Sequence, residues 1–416
     1  MPLRPLTKAL CVVAALLALA ACHTREAPNA HDPLIAYIVP NNSAWFQPGE
    51  VKFIVTHEAT PVVTWTKDVT GGTFSGLSNP EFTADGKYVF AGYSSEDVGR
   101  YPYDGSNVHA EIVWADTATH QTHEVDIPAR SRDYTVPPGR PGAPYALQGS
   151  VITWESPAPV NAPDGQLDIM QLDLSQPNPT PHPWHTVQLP ARVSDTPYQS
   201  TDFTGAVIGV GGGRVVIAKK YGDDQFVQAD RLFLVDPDGS VRTLSEQPTT
   251  HWVSATFSPD GSRIAYETGA LNESTCSRHQ ITVFDVATGQ QAAGFPHGPF
   301  DASPQPFFYV NDDAAVWWSP DGKLRTTGSA ERCPTDQSQA TSNSGVWQLD
   351  GTGWTQVAPE GTLRDYPLPN GGSVVITSVT RSADKPNIVA ELAIRRGGKT
   401  LHVADLASTE IAVGNF

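Results

Sequence analysis

Phe257-Ser258-Pro259-Asp260-Gly261-Ser262-Arg263-Ile264-Ala265-Tyr266 reads as a strand, a tight turn and a second strand. Asp-Gly supplies the turn, because glycine takes positive φ freely and Asp bonds to its local backbone. Apolar residues on both sides complete the hairpin pattern. The arrangement recurs 61 residues later at Trp318-Ser319-Pro320-Asp321-Gly322. A looser copy is Phe82-Thr83-Ala84-Asp85-Gly86, ahead of Tyr88-Val89-Phe90. Weaker copies turn at Gln148-Gly149, Gly211-Gly212-Gly213 and Asn370-Gly371-Gly372. Downstream of these hairpins comes an apolar strand that ends in Asp and enters a turn. Its copies end at Asp116, Asp173, Asp236, Asp285, Asp350 and Asp405. A last strand follows, as in Trp354-Thr355-Gln356-Val357.

The glycine anchors 86, 149, 212, 261, 322 and 371 are spaced 63, 63, 49, 61 and 49 residues apart. Four strands recurring at roughly 40–60 residues point to an all-β fold, a β-propeller of four-stranded antiparallel blades. Tandem β-sandwiches would not repeat one hairpin in register, and no sustained 3.6 periodicity competes. Six anchors leave three N-terminal strands, Leu34–Val39, Val51–Val55 and Val62–Trp65, and one C-terminal strand, Ile411–Val413. Three plus one makes a seventh blade closed by both ends of the chain, which removes free sheet edges. Seven blades are expected, with six as the alternative.

Phe257 to Tyr266 and Trp318 to Lys323, with Phe82 to Phe90 looser, resemble the WD-like repeats of TolB-type propellers. The resemblance spans residues 33–416, although only two copies are sharp. It implies a domain that acts as an interaction module.

Composition agrees with such a fold. Of 416 residues, 35 are Gly and 36 Pro, while 17 % are charged, against about 25 % in a typical domain. Long charged helices are therefore not expected. The 27 basic and 44 acidic side chains give a net charge of −17. That balance argues against nucleic acid as a partner, because phosphate binding needs Lys and Arg.

Residues 1–21 stand apart from the fold. Arg4 and Lys8 precede an uncharged run from Ala9 to Ala21, too short for a confident bilayer span of about 20 residues. Leu19-Ala20-Ala21-Cys22 resembles the bacterial lipobox. The resemblance implies a lipoprotein signal peptide over 1–21 and a lipidated Cys22, with residues 22–32 as tether and 33–416 as one propeller domain. Each buried acyl CH₂ contributes about 0.8 kcal/mol, so two chains would hold the protein on a membrane. The tether would reach at most roughly 30 Å. His23 stands where Asp would direct retention in the inner membrane, so the outer membrane is expected if the envelope has two. Otherwise the site is the outer face of the cell membrane. Losing Arg4 and Lys8 brings the charge to 25 − 44 = −19.

Four cysteines occur, at 11, 22, 276 and 333. Export would leave Cys276 and Cys333 as an even pair in an oxidising compartment, which reads as a disulfide; two separate buried thiols are the alternative. Closing that loop would stabilise by about 4 kcal/mol in the chain-entropy treatment. Both cysteines follow the second strand of their units, and adjacent blades place such loops side by side.

Chemistry is sparse. Gly72-Thr73-Phe74-Ser75-Gly76 has Phe at the centre, so it is no nucleophile elbow. His120 with His123, and His182 with His185, offer two ligands each, and two do not make a zinc site. Asp236-Pro237-Asp238-Gly239 and Asn311-Asp312-Asp313 lack the spacing and distal Glu of a calcium loop. Gly211-Gly212-Gly213 precedes a strand, not the helix a phosphate cradle needs. No cofactor, metal or catalytic set is expected. The loop 267–280 carries Glu273, Arg278 and His279 beside Cys276 and is the candidate binding loop. The expectation is a monomeric, lipid-anchored, non-catalytic module that binds an envelope protein or glycan. The alternatives are a glycan-active hydrolase or lyase and a surface receptor for a small ligand.

Overall fold

The structure, a computed structural model, describes residues 32–40, 48–71, 73–97, 108–127, 145–156, 165–190, 206–219, 231–245, 255–270, 277–292, 308–309, 316–319, 322–328, 345–351, 353–379, 388–407, 409 and 411–414. They form seven antiparallel sheets arranged in a ring, a seven-bladed β-propeller, and contain no helix. Six blades, the alternative from sequence, are thereby excluded.

Blade 1 combines β1 (Leu34–Val39), β2 (Gly49–His57) and β3 (Thr60–Val69) with the last strand, β29 (Ile411–Gly414). Blade 2 holds β4 (Thr73–Leu77), β5 (Glu81–Phe82), β6 (Tyr88–Asp97), β7 (Val108–Asp116) and β8 (Thr122–Ile127). Blade 3 holds β9 (Ala146–Gln148), β10 (Val151–Ser156), β11 (Gln166–Asp173) and β12 (His182–Gln188). Blade 4 holds β13 (Ala206–Gly211), β14 (Arg214–Lys219), β15 (Arg231–Val235) and β16 (Val241–Ser245). Blade 5 holds β17 (Thr256–Phe257), β18 (Arg263–Ala270), β19 (Ser277–Asp285) and β20 (Phe308–Tyr309). Blade 6 holds β21 (Val316–Trp318), β22 (Leu324–Gly328), β23 (Gly345–Asp350) and β24 (Gly353–Ala358). Blade 7 holds β25 (Thr362–Pro367), β26 (Ser373–Ser378), β27 (Ala390–Arg396) and β28 (Lys399–Leu406).

The three-plus-one closure expected from sequence is what forms. Leu34 pairs with Gly414 and Tyr37 with Ile411. One strand assignment changes: Leu401–Asp405 lies on β28, the outermost strand of blade 7, and the third strand is β27. The Asp at its end misled the pattern, because here the strand-end Asp belongs to the fourth strand.

The repeated residues have local tasks. The Ser258 hydroxyl donates to Asp260 Oδ1 at 2.5 Å and accepts from the Arg263 N–H at 3.0 Å. Asp260 Oδ1 also accepts from the Ser262 N–H, and Gly261 sits at φ 68°. Thr83 and Asp85 repeat this in blade 2. At the ends of third strands, Asp116 accepts from the N–H groups of Ala118 and Thr119, and Asp285 from that of Thr288. These are Asx turns, in which the carboxylate stands in for a backbone acceptor.

Apolar side chains of neighbouring blades interdigitate between the sheets. Separate clusters join blades 1–2, 7–1, 2–3, 3–4, 4–5 and 5–6. Between blades 6 and 7 the described buried residues include Arg325, Thr327 and Arg364 instead. The Arg364 Nη1 donates to Thr327 Oγ1 at 2.9 Å and its guanidinium lies 5.6 Å from the centre of the Trp317 ring.

The two faces of the ring differ. Connections from first to second strands and from third to fourth, such as 83–87, 149–150, 212–213 and 397–398, emerge on one face and are mostly tight turns. The ends of second and fourth strands, such as Asp97, Ile127 and Gly328, lie on the other, where the stretches of sequence to the next strand include the longest, 98–107, 128–145 and 329–344. The chain enters on the tight-turn face. There Pro33 O accepts from the Glu58 N–H, and Arg396 Nη1 donates to Asp32 Oδ1 at 3.0 Å and to Glu58 Oε1 at 2.9 Å.

Candidate functional site

A polar cluster sits where blade 1 meets blade 2, at the end of β7 nearest the longer connections. Alternation along β7 sends His109 and Glu111 to the same face as Val113 and Ala115, which pack against blade 1. Register then aligns Tyr93, Glu111 and Asp126 across three strands, since Tyr93 pairs with Glu111 and Glu111 with Asp126. From β3 of blade 1, Trp65 and Lys67 reach toward the same row.

Glu111 is the centre. Its side chain is only 5 % exposed, and Oε1 receives both Lys67 Nζ and His109 Nε2 at 2.5 Å. Its second oxygen, Oε2, is buried and has no hydrogen-bond partner among the described residues. Asp126 Oδ1 stands 3.7 Å from His109 Nε2. One ligand atom each from His109, Glu111 and Asp126 lies within 4.8 Å of the others. Lys67 Nζ is 5.9 Å from the Trp65 ring centre and 5.6 Å from that of Tyr93, and Trp65 Nε1 donates to Glu124 Oε2 at 3.3 Å.

Burial pushes the Glu111 carboxyl up, but the bonds from Lys67 and His109 outweigh it and hold its pKa below the ordinary value. Burial likewise works against the Lys67 ammonium, and the Glu111 bond and charge more than offset it, so its pKa rises. Both groups are therefore charged at neutral pH. On β5, one of the innermost strands, burial alone pushes the Glu81 carboxyl up to about 8.

The residues singled out from sequence fare differently. Cys22, Glu273, Cys276 and Cys333 lie outside the described residues. Arg278 and His279 were expected in a loop and lie instead on β19, paired with Ala270 and Gly269. Strands β18 and β19 extend further than their apolar cores suggested and take in 267–270 and 277–280 of that expected loop. His120 sits in a turn at φ 61°, and His123 stacks on Trp114 with ring centres 5.3 Å apart. His185 Nε2 lies 3.0 Å from Pro237 O. The cluster around Glu111 escaped the sequence reading because no local motif joins it. His109 and Glu111 are two apart on one strand, Asp126 lies on the next, and Lys67 comes from another blade.

No family profile and no curated protein matches this chain. Solved structures do, at low identity. An uncomplexed acylaminoacyl peptidase from Pyrococcus horikoshii is 14 % identical with a TM-score of 0.47, over 90 % of this chain and 52 % of that one. A puromycin-hydrolyzing peptidase from Mycobacterium tuberculosis is 14 % identical with a TM-score of 0.45, over 79 % and 46 %. The β-propeller domain of the Trilobed protease from Pyrococcus furiosus is 11 % identical with a TM-score of 0.36, over 80 % and 96 %. The chain spans about half the length of the two peptidases. Nothing about activity passes to it at these identities.

Proposed function

We propose that the protein is a bacterial TolB-like propeller, held on the outer side of a membrane by lipid on Cys22. In this reading it serves as a non-catalytic module that binds an envelope protein or glycan. The carrying observation is the asymmetry of the ring. The chain enters at Asp32 on the tight-turn face, held there by the Arg396 bond to Asp32 and the Glu58 N–H bond to Pro33 O. A short tether from Cys22 would turn that face to the membrane. The opposite face, with the longer connections, would then point outward, and long surface connections are where rigid scaffolds carry their binding residues. Net acidity disfavours direct adhesion to anionic lipid, so attachment would rest on the acyl chains.

Two measurements test this. Cys22→Ala should move the protein from the membrane fraction to the soluble fraction; retention on the membrane contradicts the anchor. A photo-crosslinking residue at Asp68, near the outward face, should trap a partner in cells. The same residue at Lys87, in a tight turn, should not. Adducts from Lys87 alone would reverse the proposed orientation.

A further inference from the structure

We propose that His109, Glu111 and Asp126 bind one divalent transition-metal cation at the junction of blades 1 and 2. Three observations carry this beyond the interaction role. First, three donor atoms from two adjacent strands already lie within 4.8 Å of one another. Second, Glu111 Oε2 is buried and has no partner among the described residues, a costly state for a charged group that a cation relieves. Third, the cluster is electrostatically underfilled. With His109 neutral, as a metal ligand must be, Glu111, Glu124 and Asp126 bring three negative charges and Lys67 one positive, leaving −2 for a divalent ion to neutralise.

The fit needs no donor pair to close by more than about 1.5 Å, since none is over 4.8 Å apart. Zinc bonds of about 2.0–2.2 Å set neighbouring ligands roughly 3.3 Å apart in a tetrahedron. His109 and Glu111, now 2.5 Å apart, separate by less than about 1 Å, and the 3.7 Å between His109 and Asp126 closes slightly. Lys67 leaves Oε1, which together with Oε2 offers the ion a bidentate carboxylate, and remains over the Trp65 and Tyr93 rings, facing Glu124. One imidazole with two carboxylates suits Zn²⁺ or Mn²⁺ better than Ca²⁺, which prefers six to eight oxygens. His109 and Asp126 are 47 % and 82 % exposed, so water completes the coordination and the ion exchanges with solvent.

The test is calorimetric titration of the chelator-treated full chain with Zn²⁺ alone, and separately with Ca²⁺. One Zn²⁺ per chain is expected, bound at least tenfold more weakly by His109→Ala and by Asp126→Asn. Both side chains are exposed, so the variants should keep the wild-type circular dichroism. Lys67→Met should bind more tightly, because it removes the competing ammonium; a purely structural role for the cluster predicts no such gain. His120→Ala with His123→Ala should change nothing. Absence of binding by the wild type, binding indifferent to His109 and Asp126, or Ca²⁺ bound as tightly as Zn²⁺ would each overturn the assignment.

Discussion

Arg325 Nη1 lies 3.1 Å from Asp365 Oδ2, across the junction of blades 6 and 7. Arg325 is 7 % exposed and Asp365 15 %, and Gln348 Oε1 accepts two further bonds from the same guanidinium. Every other junction is spanned by an apolar cluster among the described residues. A buried pair is strong evidence of geometry and weak evidence of net stability, but breaking one leaves an uncompensated charge. Arg325→Ala is therefore expected to destabilise the ring by about 3–5 kcal/mol, read as a lower urea midpoint. Arg325→Met with Asp365→Leu should recover most of that loss. A single Arg325→Ala variant as stable as wild type would remove the ion pair from the account of this junction.

Gly92 has no room for a side chain. A Cβ built there falls 1.9 Å from Tyr145 Cε2, on the neighbouring blade. The same glycine donates its N–H to the Ser78 hydroxyl at 2.7 Å, where Pro80 interrupts the innermost strand between β4 and β5. Gly92→Ala should cost about 1–3 kcal/mol through overpacking, and less in a Tyr145→Val background. Thermal melts of the four proteins measure that coupling.

Asp173 gives a pH dependence with a definite sign. Burial opposes its ionisation, but bonds from Gln176, Ser175 and Ser150 outweigh burial and bring it down to about 2. A depressed carboxyl stabilises the fold above its unfolded pKa of about 3.9, and that contribution fades as pH falls toward the folded value. Asp173→Asn should therefore flatten the change in melting temperature between about pH 4 and pH 2, relative to wild type. Parallel curves would show that the Asp173 bonds contribute nothing.

Deleting residues 411–416 tests the closure. It strips the partner from β1 and uncovers Ile35 and Tyr37, which pack with Ile411 against blade 7. An open β1 edge invites pairing between molecules. The truncated chain should aggregate or unfold in more than one step, seen by light scattering and by a broadened melt.

The ring was legible where physics is local. Asp260-Gly261 and its copies declare their turns within a few residues, and Leu34–Val39 with Ile411–Val413 could be added into a seventh blade by count alone. What escaped was set by pairing at a distance. Arg278 and His279 join strands because Gly269 and Ala270 lie opposite them, not because their own sequence alternates. The row Tyr93, Glu111, Asp126 exists only in register, and Lys67 meets it from the neighbouring blade. The charged junction of blades 6 and 7 was equally silent, since Arg325 and Arg364 look like surface residues until their sheets are stacked.

Six blades join their first and second strands by a turn; in blade 1 those strands are the two ends of the fold, with Gly414 opposite Leu34. A two-residue link between them would complete a covalent circle without moving a strand. Cutting that circle within 98–107 would yield a permuted chain with the same neighbours throughout. The starting point of the polypeptide is thus a choice the architecture leaves free, and blade 1 is distinguished by what is fastened to it.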